Sequence, residues 1–364
     1  MESWQGGSGE VEHPLREYTL QARLGKGAYG EVFEATHDPT GIRVAVEIIR
    51  NLRTEDFEVN VPRCRCALAE VRLLRHFKHE NIITLFKTGT SDEVSNFSSL
   101  WLILEGMETD LSKVIYGNPR YTLLDEHQKF LTYQLLRGLK VTHSAGIIHC
   151  DLKPANLLIN IKSTTLKICD FGLACEDSCI AKTGYVATQW YRPPEVIGRP
   201  GIYRRSLDLW SAGCILGEML TNSPLFPGKD HLDQILLVFQ KLGRPDPEDF
   251  KMSQRGKREI HKAIKGRGPF CAQPWSSILR KPPIHTWNGG TYLSDGALEL
   301  YSAAPSETAI DLVGRLLVWN PDKRLTVQEA LDHEYLGAYA HPDRDPIAAP
   351  LPAYSGHGLN MGCE

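Results

Sequence analysis

The run His149-Cys150-Asp151-Leu152-Lys153-Pro154-Ala155-Asn156 holds the residue types needed to move a phosphoryl group. Asp151 can accept a hydroxyl proton, Lys153 can neutralise a phosphoryl in transfer, and Asn156 can hold a metal. Asp170-Phe171-Gly172 follows an apolar strand, Leu166-Lys167-Ile168-Cys169, and its carboxylate suits Mg²⁺, which takes oxygen ligands. Nearer the N-terminus, Gly25-Lys26-Gly27-Ala28-Tyr29-Gly30-Glu31-Val32 fits G-x-G-x-x-G-x-V. A dinucleotide-binding turn fits the same pattern but needs a helix straight after the glycines, and here a strand pattern follows. Glycines between two strands let backbone amides approach a triphosphate with no Cβ in the way. Taken alone, that motif is read equally well as a plain glycine-rich hairpin. Trp190-Tyr191-Arg192-Pro193-Pro194-Glu195 closes the series. Each piece alone is coincidence; in this order and at these spacings they describe one site.

The elements that must position these residues change character at about residue 105. Before it, short alternating runs suggest strands: Leu20, Ala22 and Leu24; Val32 to Ala35; Arg43 to Ile49; Leu85 to Lys87; Leu100 to Leu104. His37-Asp38-Pro39-Thr40-Gly41 reads as a hairpin turn, and Ala67, Val71, Leu74 and Phe77 mark one helix that ends at Lys78-His79-Glu80-Asn81. After it, apolar residues recur at helical spacing from Asp125 through Leu139, around Trp210–Leu220, Leu232–Leu242 and Ala309–Leu317. The tail after Leu336, rich in Pro and Gly, is expected to wrap the surface or stay loose. There is no internal repeat and no low-complexity block.

Composition narrows the class. The 364 residues carry 41 Lys+Arg against 44 Asp+Glu, a formal net charge of −3, with 42% hydrophobic residues. Such a chain suits a soluble globular protein of about two domains and is not collagen-like, coiled-coil or wholly disordered. It has no global basic field, so bulk nucleic-acid or membrane-surface binding lacks an electrostatic motive. The nine cysteines follow no metal-binding pattern: Cys64 and Cys66 are too close for a knuckle, and Cys175 and Cys179 have no partnering pair nearby. With no apolar signal segment, the thiols are expected to be reduced and the protein intracellular. No apolar run approaches the 18 residues of a membrane span.

The motifs together resemble a eukaryotic protein kinase over about residues 18 to 346, and the MAP kinases in particular. Met107-Glu108-Thr109-Asp110-Leu111, Leu225-Phe226-Pro227-Gly228-Lys229-Asp230-His231 and Pro321-Asp322-Lys323-Arg324-Leu325 are similar to that group. Thr183-Gly184-Tyr185 looks like the activation lip of its stress-activated, osmotic-sensing branch. The resemblance implies an α+β, bilobal fold, with a small β-rich N-lobe holding one regulatory helix and a large, mainly helical C-lobe. Its divisions fall at 1–17 (mobile leader), 18–103 (N-lobe), 104–108 (hinge), 109–336 (C-lobe) and 337–364 (C-terminal extension). It implies Asp151 as catalytic base, Lys153 as phosphate-side cation, and Asn156 and Asp170 as Mg²⁺ ligands. An ATP site is implied at Leu24, Gly25, Lys26, Gly27, Ala28, Tyr29, Gly30, Val32, Ala45, Glu47, Glu70, Leu104, Glu105, Met107, Asp110 and Leu158. Leu104 falls at the gatekeeper position, and Glu70 on the regulatory helix. Thr183 and Tyr185 are the implied phosphorylation sites. Asp208 is expected to brace the catalytic loop and Glu195 to pair with Arg324. Arg192 and the Pro-rich end resemble the pocket of proline-directed kinases, implying Ser/Thr-Pro protein substrates, an upstream dual-specificity kinase and phosphatases. A monomer is expected, in the cytoplasm, with the nucleus as a second compartment.

Several positions depart from that pattern. The third strand should read V-A-[IV]-K, yet it is Val44-Ala45-Val46-Glu47, so the lysine that meets the phosphates and the helix glutamate is a carboxylate. Neither candidate replacement is compelling: Lys26 suits a solvated loop tip, and Arg50 lies three residues on, where alternation turns it to the opposite face. The arginines that gather a phosphorylated lip threonine in the family are replaced by Cys150, Cys175, Cys66 and Ala69, and Gln189 stands where another arginine is usual. Arg63 and Arg65 sit at helical offsets that point elsewhere. The docking patch, His341-Pro342-Asp343-Arg344-Asp345-Pro346, keeps two carboxylates and adds an arginine, so docking is weakened. Two functions therefore stand open: an ATP- and Mg²⁺-dependent serine/threonine kinase, or a pseudokinase that competes for partners of the same cascade.

Overall fold

Alternating side chains between Tyr18 and Glu105 build a five-stranded antiparallel sheet, ordered β1-β2-β3-β5-β4. Its strands are β1 (Tyr18–Lys26), β2 (Gly30–His37), β3 (Ile42–Ile49), β4 (Leu85–Thr90) and β5 (Leu100–Glu105). The computed structural model describes residues 15–26, 30–53, 59–90, 98–117, 123–179, 189–198, 203–250, 258, 261–262, 264–265, 269–280, 304–339 and 347–349. Between β2 and β3, Gly41 takes a φ of +67°, a conformation glycine adopts without a Cβ clash, while its N–H donates to His37 O at 2.8 Å.

The period of two splits this sheet into two faces. Ala35, Val44, Val46, Ile48 and Ile103 pack with Leu15, Tyr18, Phe33 and Trp101 on one. The other carries two cross-strand rows, Val32–Glu47–Leu102 and Glu34–Ala45–Leu104. Helix α1 (Val61–His76) belongs to the same chain region; Asn60 Oδ1 accepts from Arg63 N at 3.3 Å at its start. It buries Cys66, Ala67, Ala69, Glu70, Val71, Leu73 and Leu74.

The chain forms two units, Met1–Arg75 with Ile83–Met107, and His76–Ile82 with Glu108–Glu364. The sequence reading puts all of 18–103 in the N-lobe, whereas His76–Ile82 belongs to the second unit. The reason is local bonding. Asn81 Nδ2 donates to Gln134 Oε1 and to Leu166 O, both at 3.0 Å. Ile82 bridges Ile168, Phe77 lies 5.8 Å from the Phe171 ring, and Glu80 pairs with Arg137.

In the second unit the described helices include α2 (Leu111–Tyr116), α3 (Asp125–Ser144), α4 (Pro194–Gly198), α5 (Ser206–Thr221), α6 (His231–Leu242), α7 (Trp275–Ile278), α8 (Glu307–Leu316) and α9 (Val327–Leu331). Short strands β6 (Thr109–Asp110), β8 (Leu157–Asn160) and β9 (Thr165–Ile168) form one sheet, and β7 (Ile147–Ile148) pairs with β10 (Cys175–Glu176). Helix α5 is buried on every side from Leu207 to Thr221, which explains its largely apolar sequence, interrupted only by the buried Asp208, Ser211, Glu218 and Thr221. Gly213 lets Leu316 and Leu317 approach it; a Cβ there would lie 2.9 Å from Leu316 Cβ. Side chains end the helices as the residue types demand: Asp230 caps α6, Ser306 caps α8, and Thr326 with Glu329 forms a capping box on α9. The described part of the tail, 347–349, lies on this unit: Ala348 N donates to Ser144 Oγ at 2.9 Å. Among the described residues no helix is long and apolar enough to cross a membrane.

Candidate active site

In the second unit a loop between β7 and β8 gathers the polar residues of the first motif. Lys153 Nζ donates to Asp151 Oδ2 at 2.7 Å, and Asn156 Nδ2 donates to Asp151 O at 2.9 Å and Oδ2 at 3.2 Å. Both Asn156 bonds use its nitrogen, so Oδ1 is the atom it offers a cation. A 3₁₀ turn over Pro154–Asn156 sets that orientation, with proline fixing φ at its start.

The loop is held from beneath by Asp208 at the start of α5. Its carboxylate is fully buried and accepts from His149 N at 2.9 Å, Cys150 N at 3.1 Å and His143 Nε2 at 2.9 Å. These bonds hold Cys150 at a φ of +68°, a left-handed backbone that a non-glycine residue keeps only when its surroundings impose it. His149, also buried, spans the two motifs. Its Nε2 donates to Cys169 O at 3.0 Å, its Nδ1 accepts from Asp151 N at 3.3 Å, and its ring lies 4.9 Å from that of Phe171. The sequence assigns His149 no role of its own, although it opens the motif that carries Asp151.

Asp170 likewise takes a left-handed backbone, with φ at +63°. Burial pushes its carboxyl up from the usual range, and the Asp151 charge adds to that shift. A divalent cation held by Asp170 would offset that repulsion. Asp170 and Asn156 Oδ1 together supply two hard oxygen donors, which suits Mg²⁺, an ion that keeps waters and phosphate oxygens for its other positions. The residues present therefore fit the metal that the sequence implies.

In the first unit the expected nucleotide residues share the sheet face opposite the apolar core. Val32 and Ala45 are half-buried there and Leu104 is buried, an apolar surface for a flat ring. Glu47 stands in the neighbouring row between Val32 and Leu102. Gly30 pairs with Ile49, and a Cβ on it would collide with Ile48 O, so this glycine is required. Gly25 pairs with Val32; Lys26 is exposed opposite Glu31, and Leu24 is exposed on β1. Arg50 Nε lies 3.8 Å from Glu31 Oε2, on the face away from Glu47. Glu105 ends β5, donating from its N–H to Thr84 O at 2.9 Å, and Met107 is buried. Glu70 is buried in α1 at 6% exposure. Asp110 and Leu158 pair across β6 and β8 in the second unit, where Asp110 caps α2 by accepting from Lys113 N at 3.0 Å. Gly27, Ala28, Tyr29, Thr183, Tyr185 and the patch 341–346 lie outside the described residues.

The segment that begins at Asp170 corrects one expectation. Cys175 and Cys179 are not reduced thiols: they are joined as a disulfide, with Cα atoms 6.5 Å apart. Their spacing matches no metal-binding pattern, and it is the turn between them that brings the two sulfurs face to face. A turn at Asp177–Ser178, with Ser178 at a φ of +70°, folds the chain back over four residues. Further on, Glu195 and Arg324 form a bidentate pair at 2.7 and 2.6 Å, with the arginine side chain fully buried and 4.9 Å above the Trp210 ring. Trp190 Nε1 donates to Gly228 O at 3.0 Å, and Ser211 Oγ donates to Tyr191 O at 2.8 Å, so the Pro-rich end is anchored on α5 and the turn before α6.

Comparison with known proteins agrees with this geometry. The pattern of the protein kinase domain matches residues 18–336. The chain is 39% identical over 356 residues to mitogen-activated protein kinase mpkB of Aspergillus fumigatus, covering 96% of this chain and 90% of that protein. It is 41% identical over 341 residues to mitogen-activated protein kinase spk1 of Schizosaccharomyces pombe, covering 92% and 82%. It is 40% identical over 342 residues to extracellular signal-regulated kinase 1 of Candida albicans, covering 92% and 77%.

Proposed function

The chain belongs to the protein kinase family, as a MAP kinase, and on that premise we propose that it transfers the γ-phosphate of ATP to Ser/Thr-Pro sites of proteins in a signalling cascade, at a rate reduced by Glu47. The observation that carries this reading is the cluster of Asp151, Lys153 and Asn156 beside Asp170. Asp151 Oδ2, already bonded to Lys153 and Asn156, is oriented to accept the proton of an incoming serine or threonine hydroxyl. Lys153 then balances the charge that gathers on the transferring phosphoryl. Asn156 and Asp170 would hold Mg²⁺, which supplies positive charge to the phosphate oxygens when bound. His149 and Asp208 keep the loop in register, so the base need not reorganise during transfer.

Specificity for proline after the phosphorylated residue is supported by Arg192 and the anchored Pro193-Pro194, which resemble that pocket in proline-directed kinases. An upstream kinase acting on Thr183 and Tyr185, a monomeric state and a cytoplasmic location with a nuclear share belong to the same proposal. They rest on the family resemblance.

A second reading, a non-catalytic competitor for cascade partners, is favoured by one observation: a carboxylate, Glu47, on the sheet face of the expected nucleotide residues. A thermal-shift titration with Mg-ATP and a phosphotransfer assay on a Ser-Pro peptide separate the two readings. A shift with phosphotransfer supports the kinase, whereas a shift without phosphotransfer supports the competitor.

A further inference from the structure

We infer that Cys175 and Cys179 form a reversible oxidation site at the start of the activation segment, closed by a hydroperoxide and opened by a thiol reductant. The site stands on geometry and does not depend on catalytic competence. The two cysteines are four residues apart on either side of the Asp177–Ser178 turn, and their Cα separation of 6.5 Å lies inside the range a disulfide needs. Main-chain bonds hold both ends of the turn. Ser178 N donates to Tyr203 O at 2.9 Å, Tyr203 N donates to Cys179 O at 2.8 Å, and Cys175 pairs with Ile148 across β10 and β7. The two sulfurs are therefore brought together by the fold and need no search.

The surroundings set the order of events. Cys175 is buried at 7% exposure against Ile148 and Leu207, while Cys179 is only partly covered by the same cluster, so Cys179 is the sulfur a solute reaches first. Its thiolate attacks the peroxide oxygen, giving a sulfenic acid and releasing an alcohol or water. The Cys175 sulfur then attacks the Cys179 sulfur, the S–OH bond breaks, and water leaves with the Cys175 proton. The sum is two thiols and one hydroperoxide giving one disulfide, one alcohol (or water) and one water. A dithiol reductant reverses it by exchange. A third sulfur, Cys150, lies 3.5 Å from that of Cys175. Burial and the Asp208 carboxylate hold its thiol well above the ordinary range, so it stays protonated and does not compete. Two of these three positions, Cys150 and Cys175, are those where the resemblance calls for arginines that bind a phosphorylated threonine. In this chain the covalent event that pins the start of the segment is an oxidation.

The test is peptide mass analysis of the full-length protein after reduction, then hydrogen peroxide, then alkylation. Trypsin cuts after Lys167 and Lys182, so Cys169, Cys175 and Cys179 travel on one peptide. The expected result is that this peptide loses two hydrogens and keeps one alkylated cysteine, Cys169, and that dithiothreitol restores three. Cys169→Ser should keep the linkage and Cys179→Ser should abolish it. The oxidised wild type should melt about 3 °C higher than the reduced protein, a difference absent from Cys179→Ser. Three alkylated cysteines after peroxide, a linkage through Cys150 or Cys169, or a linkage that survives Cys179→Ser would each overturn the assignment. The mass readout on wild type stands even if a variant fails to fold.

Discussion

Replacing Glu47 with lysine should raise phosphotransfer at least tenfold. Glu47 is half-buried between Val32 and Leu102, on the face that carries Ala45 and Leu104. A unit positive charge ~4 Å from a phosphate oxygen is worth about 4 kcal/mol at an effective dielectric near 20. Felt only in the transition state, that contact corresponds to roughly a thousandfold in rate. Because the position is partly open to water, screening removes much of the term, and about 1.4 kcal/mol, or tenfold, is the conservative floor. The sign is unambiguous, since wild type presents a negative charge where the substitution presents a positive one. The assay is steady-state phosphotransfer to a Ser-Pro peptide at saturating Mg-ATP, with wild type, Glu47→Lys and Glu47→Gln compared. Glu47→Gln should fall between the other two, because it removes the repulsion without adding the attraction. Equal rates for all three proteins would refute the argument.

Four further outcomes follow from single residues. Arg324→Ala should cost about 3–5 kcal/mol in urea unfolding, because it leaves the Glu195 carboxylate without its bidentate partner. Asp170→Asn should raise the metal-free melting temperature by roughly 2 °C at neutral pH and abolish its response to Mg²⁺. A carboxyl whose folded-state pKa is raised favours the fold below its unfolded pKa and loses that contribution as pH rises through the folded value, so at neutral pH wild-type Asp170 is a net cost. Mg²⁺ affinity should correspondingly weaken as pH falls through that raised value, readable by titration calorimetry at two pH values. Thr183→Ala should leave activity within about twofold, since Cys150 and Cys175 stand where arginines would gather its phosphate; a drop beyond tenfold in the peptide assay would show that another group reads it.

The parts of the site that are contiguous in sequence were legible there. Asp151, Lys153 and Asn156 sit within one loop, where a short turn brings Lys153 and Asn156 onto the Asp151 carboxylate. The strands were legible because Val44, Val46 and Ile48 alternate cleanly with Arg43, Ala45 and Glu47, and one face is buried. Helix α5 was visible as a helical pattern around Trp210–Leu220, with the depth of its burial explained only by its neighbours. What depends on distant partners was not legible. His76–Ile82 looks like the end of an N-lobe helix, but the buried Asn81 amide and the Phe77 ring commit it to the second unit. The Cys175–Cys179 bond needed a left-handed Ser178, a residue type that gives no warning of a positive φ. Asp110, read only as a nucleotide ligand, also has the local task of capping α2, which the short helix concealed.

The most direct measurement is phosphate incorporation from Mg-ATP into a Ser-Pro peptide by purified wild type, with Asp151→Asn as the blank and Glu47→Lys alongside. The expected result is incorporation by wild type above the blank, and at least tenfold more by Glu47→Lys. Incorporation no greater than the blank by both proteins would contradict the assignment of Asp151, Lys153, Asn156 and Asp170 as a working phosphotransfer site.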